Sequence, residues 1–152
     1  MRDNIPCQYC GGNPLRMTGA EMFPDRPEIA VKRYLACRDC DAWVGCRPGT
    51  WTPVGELADA TLRSARRRAH DAFESVWRAA VRETRASDDQ ARRAAYAWIA
   101  THVRGGAHVA GLGLRECGDM IGLCGARNAV PAVVARLGSK PSGTGSAGTR
   151  KI

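Results

Sequence analysis

Cys7-Gln8-Tyr9-Cys10 and Cys37-Arg38-Asp39-Cys40 are the stretches whose reading decides the fold. Two residues between the thiolates let one tight turn aim both sulfurs at a single ion at about 2.3 Å. A second such turn, delivered by a distant strand, completes a tetrahedron. The pattern therefore predicts one zinc ion held by Cys7, Cys10, Cys37 and Cys40. A closed four-thiolate site has no open position, so the metal is expected to be structural rather than catalytic. The competing reading is two unrelated redox or buried thiol pairs.

The chain has 152 residues and a formal net charge of +8. That length suits one domain, or a small zinc module joined to a helical part. Four thiolates and one Zn²⁺ add a formal −2, which brings +8 to about +6. Such a balance favours polyanions, acidic protein surfaces or simple solubility. No run approaches the roughly 18 apolar residues of a membrane span. The stretch Met1-Arg2-Asp3-Asn4-Ile5-Pro6 has no apolar signal core, so a cytoplasmic location without membrane contact is the expectation. Seven cysteines is an odd number, and their spacing is metal-like, which fits reduced thiols better than disulfides.

Residues 1–55 read as a zinc-ribbon-like module of short strands and turns. Gly11-Gly12-Asn13-Pro14 turns the chain after the first pair. Leu15 to Phe23 reads as one or two short strands, interrupted near Gly19. Pro24-Asp25-Arg26-Pro27 is a loop, and Val31 to Ala36 is a strand running into the second pair. Ala42 to Cys46 leaves that pair as another strand, and Arg47-Pro48-Gly49-Thr50 is a turn. So small a sheet buries little surface, so the metal must contribute folding energy.

Residues 56–137 read as helical. Asp59 is a good N-cap for a helix running to about Arg82. Leu62, Ala65, Ala69, Phe73, Val76, Trp77 and Ala80 share one face of it, with Arg63, Arg67, Asp71, Arg78 and Arg82 opposite. Ser87-Asp88-Asp89-Gln90 is a capping box. The helix after it carries Ala91, Ala94, Ala95, Trp98 and Ile99 on one face and stops at Gly105-Gly106. The two helices are expected to pack as an antiparallel hairpin. Arg115 to Cys124 suggests a further helix, and Pro131 argues against its running unbroken to Leu137. The Gly/Ser-rich residues 138–152 are expected to be a disordered tail. The fold class is α+β.

Several stretches carry a resemblance. They are Ile5 to Gly12, Ala20 to Pro27, and Cys37 through Leu57 with its Trp43-Val44-Gly45-Cys46-Arg47-Pro48-Gly49-Thr50 core. Leu62 to Trp77 and Ala95 to Ala100 join them. Over about residues 5–104 the chain resembles a family of uncharacterised zinc-finger-domain proteins of bacteria, phages and prophages. The resemblance implies the same four zinc ligands and almost no biochemistry. Relatives often carry His where this chain has Arg47.

The other candidate residues each have a plain reading and a sharper one. Cys46 is expected to pack near the site rather than to ligate, and Cys117 and Cys124 to be buried thiols. His70 reads as a packed histidine with one satisfied hydrogen bond, His102 sits near a helix C-terminus, and His108 lies in a glycine-rich loop. Arg63, Arg66, Arg67 and Arg68 form the most basic run. They line a phosphate-binding surface or a solvated face, with Arg67 pairing to Asp71 and Glu74 to Arg78. Arg66 falls on the apolar side, where it would snorkel or stack on Trp77. Trp43 and Trp51 either stack on bases or cap the small zinc-side core. The resulting expectation is a non-enzymatic zinc protein that binds nucleic acid in a phage, prophage or bacterial context. The alternatives are an adaptor for a host protein and, more weakly, a metal-dependent nuclease, which needs a second, open metal site. Nothing points to a small-molecule substrate.

Overall fold

The computed structural model describes residues 5–104 and 111–138. Of the tail expected over 138–152, Gly138 closes the last helix, while residues 139–152, the Gly105-Gly106 stop and His108 lie outside the described residues. Three strands and five helices follow in order: β1 (Leu15–Thr18), α1 (Gly19–Met22), β2 (Arg33–Ala36), β3 (Trp43–Gly45), α2 (Ala60–Thr84), α3 (Asp88–Ala100), α4 (Leu114–Gly125) and α5 (Ala129–Gly138). A 3₁₀ turn at Pro27–Ile29 lies between α1 and β2. The architecture is α+β.

The sheet is antiparallel in the order β1-β2-β3. Leu15 faces Ala36, and Leu35 faces Val44. Alternation along the strands turns Leu35 and Val44 toward the cysteines, where they join Cys7, Cys37, Ala42 and Leu57 in a small buried cluster. Tyr34 and Trp43 form an edge-to-face trio with Phe23, at centroid spacings of 5.5 to 5.6 Å. The outer edge of β3 is covered by the chain that follows. Trp43 and Ala58 exchange backbone hydrogen bonds, and the Val54 amide donates to the Gly45 carbonyl at 3.0 Å.

One sequence expectation fails here. The chain after Thr18 forms the short helix α1, not a second strand. Thr18 and Glu21 make a capping box, the Thr18 amide donating to Glu21 Oε2 at 2.6 Å. Gly19 is required by close approach, since a Cβ there would sit 1.8 Å from the Ile29 carbonyl oxygen.

The helical part has its own core. α2 begins after Asp59, whose carboxylate accepts the Leu62 amide at 2.8 Å. Its buried residues are Leu62, Ala65, Ala69, Phe73, Val76, Trp77 and Ala80, the full face that the periodicity predicts. Arg85, at φ 59°, ends α2 in the left-handed conformation. The Ser87–Gln90 capping box then starts α3. That helix ends at Ala100, ahead of the glycines expected to stop it. α2 and α3 do pack on each other, but α4 and α5 also pack against α2 and close the core. The expected hairpin is thus half of a four-helix cluster. Phe73, Ile99, Leu112, Met120 and Val133 are fully buried in it. Each such side chain contributes about 1.5–3 kcal/mol of transfer free energy. Pro131 sits in the first turn of α5, where a missing N–H costs no helical hydrogen bond.

Candidate metal centre

Two matching turns build the site. In the first, the Cys7 amide donates to the Gly12 carbonyl at 2.8 Å, and in the second the Cys37 amide donates to the Ala42 carbonyl at 2.7 Å. Each turn needs one left-handed residue directly after its second cysteine. Gly11 takes that place at φ 73° and Asp41 at φ 53°. The first turn precedes β1, and the second joins β2 to β3, so the sheet holds the two pairs face to face.

All four sulfurs lie within 4.8 Å of one another. Cys7 Sγ is 3.3 Å from Cys40 Sγ, and Cys10 Sγ is 3.4 Å from Cys37 Sγ. Both spacings exceed a disulfide bond and approach the edge of about 3.8 Å of a tetrahedron with a metal–sulfur distance of about 2.3 Å. The donor set is four thiolates, one of the closed sets that hold structural zinc. The residues therefore fit one zinc ion, and they leave it no open position.

The protons on the sulfurs tell the same story. Burial resists ionisation of Cys7, but hydrogen bonds from the Tyr9 amide, the Cys40 thiol and the Cys10 amide outweigh it and bring the thiol down to about 7. Cys10 accepts the Gly12 amide, which favours its thiolate, yet the adjacent Cys37 sulfur and desolvation leave it raised. Cys40 accepts the Ala42 amide, but Cys7, burial and the other sulfurs push it up to about 12. Ionisation is thus easy at Cys7 and opposed at Cys10 and Cys40, as expected where negative charges gather and need a compensating positive charge. A divalent ion supplies that charge.

This fold and this closed sulfur cluster define a structural zinc-finger protein. The chain belongs to a family of zinc-finger-containing domains, whose model matches residues 3–127. No curated protein and no solved structure shows significant similarity to it.

The remaining candidates fall in different places. Cys46 is outside the cluster, half-buried against the zinc-side core, and burial raises its thiol. Cys117 and Cys124 are buried on one face of α4. Burial pushes Cys124 up to about 11, so it stays a neutral thiol. His70 is not packed: it is exposed, with Nε2 4.0 Å from Glu74. His102 lies just past α3, its Nδ1 2.9 Å from the Trp98 carbonyl oxygen.

The basic run divides. Arg63 does not face solvent with Arg67. It donates from Nη1 to the carbonyls of Asp41 at 2.8 Å and Ala58 at 2.7 Å, and it lies over the Trp43 ring at 5.0 Å. Arg66 does not stack on Trp77, whose ring is flanked by Arg78 and Arg92. It donates instead to the carbonyls of Leu112 at 2.9 Å and Glu56 at 3.3 Å, tying α2 to the segments before α2 and α4. Glu74 pairs with Arg78 at 3.1 Å as expected. The expected Arg67–Asp71 pair does not form, and Arg67 and Arg68 are exposed without an ion pair among the described residues. Trp43 belongs to the aromatic trio, and the guanidinium groups of Arg16 and Arg33 lie over the Trp51 ring at 5.5 and 5.1 Å. Both indoles are thus already engaged within the protein.

Sequence reasoning missed the role of the residues between the cysteines. Gln8 Nε2 donates to the Leu57 carbonyl at 3.1 Å, and the Asp59 amide donates to Tyr9 Oη at 3.3 Å. The first zinc turn thus grips the chain entering α2.

Proposed function

We propose that this chain is a non-enzymatic zinc protein that binds nucleic acid, with the metal building the surface and not touching the ligand. One observation carries this reading. A cleft of about 350 Å³ opens between β3 and α2, lined by Arg63, Arg66 and Arg67 opposite Trp43 and Val54, and no carboxylate lines it. Two of the three guanidinium groups are fixed by backbone carbonyls, so their charge is held in place before a phosphate arrives. The net charge of +8 supports the same partner.

A closed thiolate site supports a structural role over a nuclease one. No helix among the described residues is long and apolar enough to cross a membrane. A reducing compartment such as the cytoplasm suits thiolate ligands, and the resemblance suggests a bacterial or phage setting. The test is fluorescence anisotropy with labelled oligonucleotides from low to moderate salt. Log affinity should fall linearly with log salt. No binding at low salt refutes the reading and leaves a protein adaptor as the better one.

A further inference from the structure

A second cleft, of about 490 Å³, lies on the other side of Gly45 and Val54, and both residues line both clefts. The floor where they meet is the Val54-to-Gly45 backbone hydrogen bond. Gly45 keeps that floor low, since it has no side chain to divide the two spaces. Lys32, Arg33 and Arg47 line the second cleft, and again no carboxylate does. Arg33 is committed to the Gly49 carbonyl and the Trp51 ring. Lys32 and Arg47 make no ion pair among the described residues, and neither does Arg67 in the first cleft. The second cleft is also lined by Val31, 89% exposed, and Val54, 41% exposed.

We propose that the two clefts form one continuous trough that holds a single strand of nucleic acid. The phosphates lie along Arg67, Arg47 and Lys32, and the bases rest against Val54 and Val31. This rests on the nucleic-acid reading above and names its ligand class. A duplex is read by an element that projects into a groove about 12 Å wide. Here the basic surface is concave and the protein projects nothing from it. A positively charged groove that tracks one backbone is the arrangement single strands use. Because Trp43 and Trp51 are already engaged within the protein, base stacking contributes little, and phosphate contacts should dominate. Affinity should be tolerant of sequence and steep in salt.

The experiment uses the full chain with a labelled oligothymidylate of about 12 nucleotides, within the usual span of such grooves, and a duplex of equal length. Wild type should prefer the single strand. Lys32→Ala with Arg47→Ala should lower the slope of log affinity against log salt by about 1.4, for two contacts at about 0.7 each. Gly45→Ala places a methyl on the floor between the clefts. A Cβ at Gly45 meets nothing nearer than the Tyr34 ring at 3.9 Å, so the fold should tolerate it and melt no lower than wild type. Binding of the single strand should nonetheless fall. If Arg67→Ala weakens binding while the other two variants bind as wild type does, the ligand is confined to the first cleft and the trough is refuted, though nucleic-acid binding stands. A preference for duplex, or equal competition by polyglutamate, also overturns it. Absence of any binding by wild type removes the underlying reading itself.

Discussion

Arg63→Ala and Arg67→Ala remove the same side chain four residues apart on one helix, and they should behave differently. Arg63 makes two charge-assisted hydrogen bonds to carbonyls, at 2.7 and 2.8 Å. Such bonds contribute about 1.5–3 kcal/mol when their loss strands a buried partner. Neither partner is stranded here. The Ala58 carbonyl keeps the Trp43 amide at 3.0 Å, and Asp41 is exposed enough to regain water. Each bond then counts for about 1 kcal/mol. The stacking on Trp43 adds about 0.5–1 kcal/mol. The ion pair to the Asp41 carboxylate, 88% exposed, adds nothing worth counting. Arg63→Ala should therefore cost about 2.5–3 kcal/mol. At about 2–4 °C per kcal/mol for a chain of this size, the melting temperature falls by about 5–12 °C. Arg67 contacts nothing comparable, and its loss should stay within about 0.5 kcal/mol. Urea and thermal denaturation followed by circular dichroism measure both. Equal, small effects would refute the assignment of Arg63 as the tie between the zinc turn and α2.

Two further outcomes follow from local geometry. Metal analysis of the purified protein should give one zinc per chain, because the cysteine cluster is the single metal-type group among the described residues; two per chain would contradict this. Gly19→Ala should destabilise by more than the roughly 1 kcal/mol of an ordinary helical Gly/Ala exchange, and with the opposite sign, because the new methyl collides with the Ile29 carbonyl. A neutral or stabilising effect in urea denaturation would show that α1 can shift away.

The zinc ligands and the long helices were legible because their signals are local and repeated. Two C-x-x-C spacings define the metal site by themselves. Over the 25 residues of α2, the apolar period picked every buried position. α1 was legible and misread: Thr18-Gly19-Ala20-Glu21 is a capping box, but the β-type residues around it suggested a strand. Arg63 was not legible. A helical wheel assumes one packing face, and the first turn of α2 is touched from a second side by the zinc turn. Arg66 was recognised as misplaced on the apolar face, yet its partners, the carbonyls of Leu112 and Glu56, carry no side-chain signature. The trough escaped notice for a similar reason. Lys32, Arg47 and Arg67 are scattered in sequence and are brought together only by pairing β3 with residues 53–58.

The same contacts say how far the metal's influence reaches. The buried cluster of the zinc module and that of the helices share no residue. Removing the metal should therefore not melt the helical core, which keeps its own apolar burial. The junction is different. Gln8 holds Leu57, Tyr9 holds Asp59, and Asp41 holds Arg63, so both zinc turns grip residues 57–63. Those grips exist only while the turns keep their shape, and four unligated thiols, with Cys40 holding its proton to about 12, do not maintain it. Cys37→Ser, or chelation of the wild type, should abolish the sheet and free the first turn of α2 while leaving α2 to α5 otherwise helical. Circular dichroism near 222 nm should then fall only modestly, and hydrogen exchange should become fast for residues 7–63 and stay slow around Phe73, Ile99 and Met120. Loss of protection throughout the chain would instead mean that the metal stabilises one cooperative unit, and that the two cores are separate in space but not in folding.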